Sequence, residues 1–314
     1  YSKVYCDMFD EHNQYSANPK DPNFLKKAYP KGRKFIKPLV LGIPYGAGDA
    51  QCANMVGATI RSDKPNQYGI FEERPDMNKG REIREKYLNT YPNLSGYMSL
   101  QEYSAVHYGY VDAKYGRRRH LKWAKSIGDF FESVESSNGY PFSKMDKVNA
   151  FLKMTKSKLN GVSAAVKDHN TGNEVFQLTE EHLMRLSEKL GISFSMDKFG
   201  KDGVKQKGGW AYIRSILKAD LNNAKNHPIQ ALAGHITNMG MLSTTRKFSE
   251  HGLDAWVALQ VHDEITCYAK EDQAELAKEL LQKGMEENVY TLPLANDVKM
   301  IAEPVICDNL KESK

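Results

Sequence analysis

Apolar positions along the chain follow two periods. Across 77–108, in "MNKGREIREKYLNTYPNLSGYMSLQEYSAVHY", they recur at steps of three and four, which predicts helix interrupted at Pro92. The same period predicts helix over 211–250 and in patches at 143–158 and 178–190. Residues 271–287, "EDQAELAKELLQKGMEE", read as an amphipathic helix with acids early and Lys–Gly near its end. Period two appears over 254–269, in "DAWVALQVHDEITCYA", and predicts a strand pair. There Val257, Leu259 and Val261 alternate on one side of the first strand, and Ile265 and Cys267 on the second. A strand-like tail is expected at 290–307. Residues 10–32 read mostly as loop, 33–60 as a mixed segment with a basic front, and 197–210 as a flexible basic loop. Helices with a hairpin in this order imply an α/β or α+β protein.

Composition narrows the class without naming it. At 314 residues, 40% hydrophobic and 26% charged, the chain is long enough for one large domain or two with a sizeable core. No apolar run approaches the roughly 20 residues of a membrane span, and no secretory signal is visible. The four cysteines are scattered with no CxxC pair, which argues against zinc and for a reduced, cytoplasmic chain. A net charge of +5 hints at an anionic partner, although such an excess is also common on a solvated surface.

Two stretches carry candidate chemistry. In "QVHDEIT" the turn between the predicted strands places His262, Asp263 and Glu264 side by side. Adjacent acids repel, and a divalent cation would supply the missing positive charge; Mg²⁺ takes oxygen ligands from one or two carboxylates plus substrate phosphates. A plain polar turn, where Asp is a favoured residue, explains the same three residues. In "KGRKFIKPLVLGIPYGAGDAQ", Arg33, Lys37, Leu41 and Tyr45 lie four apart and would share one helix face. Two cations followed by a flat ring suit a nucleotide, with the cations on a triphosphate and the ring near the base. Gly46 and Gly48 would let the chain turn after the ring. Pro38, Gly42 and Pro44 fall inside this face and predict a kink, since an interior Pro costs about 3 kcal/mol.

Together these stretches resemble family A DNA polymerases, the group related to bacterial DNA polymerase I and to phage replicative enzymes. Four motifs occur in the family's order: "RKFIKPLVLGIPYGAG" is similar to the fingers motif, "GYVDAKYGRRR" to the segment ending in three arginines, "NHPIQALAGHI" to a helix that touches primer–template, and "QVHDE" to the catalytic palm hairpin. The resemblance implies a polymerase right-hand fold, with fingers over 31–108 and palm over 109–314. It implies that Asp263 ligates two catalytic Mg²⁺ ions with Glu264 as a supporting acid, and that His262 lies near the primer terminus. Arg33 and Lys37 would bind the dNTP phosphates, Lys37 also donating a proton to pyrophosphate. Leu41, Tyr45 and Gly46 would face the sugar and nascent base pair. Asn226 and Gln230 would touch the primer–template, and Arg117, Arg118 and Arg119 its backbone; the bland alternative for these arginines is a solvated charge run.

The departures shape the expectation as much. Leu41 stands where relatives carry Phe or Tyr, Asn222 replaces an Arg, and "QALAGH" loosens the family's "QGTAAD". Residues 121–215 look like an insertion, either solvated or touching DNA through lysine-rich loops. The family's other catalytic Asp belongs to a motif like "D-Y-S-x-x-E"; Tyr1–Ser2 would be its remnant within 1–30, with Tyr5 at the Glu position, and Asp7 and Asp10 as weaker substitutes. The reading is therefore a divided polymerase of phage type. A companion chain would carry the first catalytic motif, the thumb and an exonuclease, with no membrane partner and the host cytoplasm as the place if the protein is viral. The rivals are a non-catalytic DNA-binding accessory and a crop of a single-chain polymerase.

Overall fold

The computed structural model describes residues 1–139, 141–155, 157–159, 161–192, 209–287 and 301–309. Helices and antiparallel hairpins are mixed, as the two periods predict, and the chain divides into two compact units. The first comprises Tyr1–Asp112 and Arg118–His227, the second Ala113–Arg117 and Pro228–Lys314.

The first unit begins with α1 (Ser2–Phe9), α2 (Leu25–Ala28), α3 (Pro30–Gly42), α4 (Asp49–Met55) and α5 (Met77–Thr90). Residues expected as loop at 25–32 are thus partly helical. Met8, Ile36, Leu39, Ile43, Cys52, Ile83 and Tyr87 form the core of these helices. The expected interruption at Pro92 is real: α5 ends at Thr90, and Pro92 opens α6 (Pro92–His107), where its missing N–H leaves no helical bond unmade. Asp76 caps α5 by accepting from the Asn78 and Lys79 N–H groups at 3.0 and 3.1 Å. The hairpin β1 (Thr59–Arg61) and β2 (Glu73–Pro75) precedes it.

After α6 come the hairpin β3 (Tyr110–Asp112) and β4 (Arg118–His120), then α7 (Lys122–Ser133), α8 (Lys144–Lys153), the hairpin β5 (Ala164–Lys167) and β6 (Glu174–Leu178), and α9 (Glu180–Leu190). The described part of the 121–215 segment is not solvated throughout. Its described residues supply most of the largest core, where Phe131 meets Phe151 and Phe176 at 4.8 and 5.3 Å between ring centroids. Trp210, fully buried, donates its indole N–H to the Val162 carbonyl at 2.8 Å. Lysines on the outer faces hid this core in the composition. Most of the predicted loop at 197–210, and 290–300 of the predicted tail, lie outside the described residues. Residues 301–307, the tail's described part, form no strand.

Helix α10 (Gly209–Glu250) contributes to both units, the division falling between His227 and Pro228. In the second unit it is followed by β7 (Ala255–Val261), β8 (Glu264–Ala269) and α11 (Ala274–Glu287). Phe248, Ala277 and Leu280 form a small core with Leu253, Ala255, Cys267 and Ala269 around it. Gly284 lets α11 approach Thr244 so closely that a Cβ would overlap it.

The β7–β8 pairing corrects one expectation. Val257 pairs with Cys267 but Leu259 pairs with Thr266, so Ala258 is an extra residue in a β-bulge. The bulge breaks the alternation. Val257 stays on the side of the core, whereas Leu259 and Val261 join Trp256 and Tyr268 on the opposite face, all four exposed.

Candidate active site

Arg33 and Lys37 lie one turn apart on α3 and both approach the ring of Tyr1, at 5.1 and 6.0 Å from its centroid. They therefore share a face, as the spacing requires. Among the described residues neither makes an ion pair, so both charges remain available to an anion. Leu41 follows on the same helix and is exposed.

Pro38 lies inside α3, which is helical throughout Pro30–Gly42, with no non-helical residue at the expected kink. Buried Ile36, Leu39 and Ile43 on one side hold the helix across it. Tyr45 falls beyond the assigned end, in a turn. The Gly46 N–H donates to the Ile43 carbonyl and the Ala47 N–H to the Gly42 carbonyl, both at 2.9 Å, and Gly46 has φ +86°. This is a Schellman closure, in which the left-handed residue stops the helix and satisfies its last carbonyls. Tyr45 is thus presented by the final turn, half-buried, with the chain reversing directly behind it.

What backs that turn had no signal in the sequence. A Cβ on Gly46 would overlap the Asn222 amide oxygen and lie 3.2 Å from the Lys225 ammonium. Lys225 is buried and paired with Glu102 of α6 at 2.7 Å, and the Tyr97 hydroxyl donates to the Lys225 carbonyl at 3.1 Å. A cleft of about 360 Å³ opens beside it, lined by Gly46, Asp49, Arg84, Glu102 and Lys225. These partners are more than a hundred residues apart in the chain, so no local pattern could announce them.

Asn226 follows at the end of the first unit's part of α10, its amide oxygen buried with no hydrogen bond among the described residues. Gln230 is exposed in the second unit. The three arginines separate in role. Arg118 is held: its Nε and Nη2 donate to Asp112 at 2.6 and 3.0 Å, and its guanidinium lies 3.7 Å from the Tyr110 ring centroid. Hydrogen bonding from Arg118 keeps the Asp112 carboxyl below the usual range. Arg117 and Arg119 are exposed and make no ion pair among the described residues. Tyr115, with φ +63°, stacks on His235 at 4.4 Å within the second unit, a contact the sequence reading did not anticipate.

In the second unit the β7–β8 connection is two residues, since Val261 pairs with Glu264. His262 takes φ +56°, as tight hairpin turns demand, and its carbonyl accepts from Gln260 Nε2 at 3.2 Å. His262, Asp263 and Glu264 are all exposed. Cys267 on the core side packs with the small core of this unit, and burial pushes its thiol up to about 11. No group of three His, Cys, Asp or Glu side chains able to hold a metal forms among the described residues. Asp263 and Glu264 therefore fit part of an Mg²⁺ ligand set and not a closed site. Asp7 is occupied by Lys3 and Tyr91, both at 2.7 Å, and Asp10 accepts from the Gln14 and Tyr15 N–H groups at 2.8 and 2.7 Å. Both serve local structure, and Tyr5 packs among Phe9, Tyr15 and Tyr29.

Comparison with known proteins now bears on this arrangement. Residues 213–310 match the model of DNA polymerase family A. DNA polymerase I of Caldicellulosiruptor bescii is 35% identical over 96 residues, 28% of this chain and 11% of that protein. The DNA polymerase of Escherichia phage T5 is 24% identical over 166 residues, 53% of this chain and 18% of that protein. The chain thus spans a small part of the length of the curated relatives it matches. The POL domain of Pol1 from M. smegmatis, solved in complex with DNA primer-template and dNTP, aligns over 91% of this chain and 30% of its own, at 16% identity and TM-score 0.49. Over 213–310 the chain is similar to the family A DNA polymerases, and two of its four motifs, those at 226–236 and 260–264, lie there. Asn226, Gln230 and the hairpin acids lie inside the matched residues; Arg33, Lys37, Leu41, Tyr45, Gly46 and the three arginines lie outside them. No helix among the described residues is long and apolar enough to cross a membrane.

Proposed function

We propose that the chain is the fingers and part of the palm of a template-directed DNA polymerase, adding deoxynucleotides to a primer 3′ end. The observation that carries this is the two-residue turn at His262–Asp263: it lies within the family A match and presents an exposed carboxylate at the end of a paired hairpin. Arg33 and Lys37 hold the triphosphate, and Lys37 donates a proton to the leaving pyrophosphate. Tyr45 packs near the new base pair, and Leu41 faces the sugar with less bulk than an aromatic ring. Asn226, Gln230, His262 and the exposed arginines hold primer and template, phosphate contacts fixing position rather than sequence. Asp263, with Glu264 beside it, contributes carboxylate to Mg²⁺, whose chemistry is to activate the attacking hydroxyl and steady the leaving oxygen.

One carboxylate set is half of such a site. The other half comes from a companion chain bearing the first catalytic motif, with the thumb and exonuclease, in a divided enzyme of phage type working in the cytoplasm. Primer extension is measured with the chain alone and with a companion carrying the Asp motif. Activity is expected in the mixture only; full extension by the chain alone ends the divided reading. An intact-mass measurement of the native protein separates a divided enzyme from a crop of a longer one.

The rival reading is a DNA-binding accessory without catalysis. Asp263→Ala discriminates. In the reconstituted enzyme it should cut extension by about a thousandfold, the scale of losing a group that acts in the transition state, while DNA binding persists. Unchanged extension establishes the accessory.

A further inference from the structure

Helix α3 ends without a cation of its own. No Lys, Arg or His lies in its last turn. A helix C-terminus carries partial negative charge on its last carbonyls, and a positive charge placed there steadies it. The cation comes from another helix. The Lys225 ammonium of α10 lies 3.2 Å from the point a Cβ on Gly46 would occupy, against the turn in which the Gly46 and Ala47 N–H groups close α3.

Two ties to α6 fix where that ammonium sits. Glu102 pairs with it at 2.7 Å, the lysine side chain 7% exposed and the glutamate 27%. The Tyr97 hydroxyl donates to the Lys225 carbonyl at 3.1 Å. Asp49, the other acid lining the cleft, is taken by Arg84 at 2.7 Å. All of these residues belong to the first unit. Stability alone does not call for the pair. Apolar side chains of similar size generally hold a fold as well as a buried ion pair does, because desolvating two charges offsets their attraction. What the pair adds is direction, since it sets one nitrogen at one place.

We propose that Lys225 and Glu102 are a positioning pair for the nucleotide site. Glu102 on α6 aims the Lys225 ammonium at the end of α3, and that charge holds closed the turn that presents Tyr45. The pair acts through the turn at Gly46 and Ala47, not on the reacting atoms. That a nucleotide is what Tyr45 meets rests on the polymerase reading; the hold on the turn does not.

In the full-length chain, Lys225→Met together with Glu102→Leu removes both charges and keeps the bulk, so the urea midpoint should match the parent's. Amide hydrogen exchange is read by mass spectrometry on the peptide that spans the turn. It should quicken about tenfold at Gly46 and Ala47 and stay unchanged in peptides of α7. Lys225→Gln alone gives the same comparison if the double variant folds poorly. Exchange at the turn equal to the parent's, or an equal rise in α7, overturns the positioning role. In the enzyme reconstituted with its companion, the double variant should raise the dNTP KM about tenfold and change kcat by about twofold at most, a loss of binding rather than of chemistry. Faster exchange with an unchanged KM overturns the link from turn to nucleotide. A parent that extends no primer with its companion ends the polymerase reading, and exchange at the turn still decides the pair.

Discussion

Gly46 holds φ +86° because the helix ahead of it must end there, and the Asn222 amide occupies the space a side chain would take. Gly46→Ala therefore meets two penalties, a left-handed backbone costing about 1–2 kcal/mol and a steric overlap. Stability should fall by about 2 kcal/mol in urea titration, and nucleotide affinity should fall with it because Tyr45 is carried by the same turn. A variant with unchanged urea midpoint would show that the closure is not under this constraint. At this scale the sequence was informative where chemistry is local. Arg33 and Lys37 share a face because four residues make nearly one helical turn, and Asp263 sits at a turn because a period-two pattern pauses there. Lys225 was invisible: its partner Glu102 and its neighbour Gly46 are brought to it by tertiary packing alone.

Asp129 shows how one element is fixed to the next. It is on α7, and its carboxylate accepts from Lys125 on the same helix at 2.6 Å and from Lys144 on α8 at 2.8 Å. Partial burial resists its ionisation, but the bonds from the two lysines outweigh this and lower its pKa. A lowered carboxylate pKa adds stability that is complete above the unfolded value, about 3.9, and disappears as pH falls through the folded one. Asp129→Asn should therefore cost roughly 0.5–1 kcal/mol at pH 7 and less at pH 3, read from urea midpoints at both. An equal cost at both values would place the effect in packing. Elements with strong periodicity were legible, α5 and α6 almost to the residue, because Pro92 can only begin a helix there. Helix α7 was not, because its apolar stripe is threaded with Lys, Ser and Gly that read as part of an insertion. The hairpin was legible as a strand pair but its faces were not, since a bulge leaves no mark in composition.

The molecule as a whole has cores of unequal size. Among the described residues, the first unit buries a broad aromatic cluster, while the second rests on Phe248, Ala277 and Leu280 with a few half-buried neighbours. Phe248→Ala should cost about 3–5 kcal/mol by the cavity it leaves. In a unit this lightly packed the loss should appear as an earlier transition. Trp256, in the second unit, is the reporter of that step by fluorescence, and buried Trp210 of the first unit should keep its midpoint. A coincident drop at both tryptophans would mean that the two units unfold as one. The same split explains why the motifs were more legible than the architecture. The motifs are short and self-contained, whereas the unit boundary falls inside the continuous helix α10, where no change of composition marks it.

The extra residue at Ala258 has a consequence for inheritance. Loss of that single codon would leave every chemically notable side chain in the gene untouched. Yet the pleat before the bulge would fall out of phase with the pleat after it, exchanging the inward and outward residues of one half of β7. If the half nearer the turn moved, Leu259 and Val261 would turn inward and Gln260 outward; if the half nearer α10 moved, Ala255 and Val257 would leave the core. Either way the hairpin would have to repack beneath Asp263. A three-base deletion there should lower the urea midpoint more than any conservative replacement in the strand.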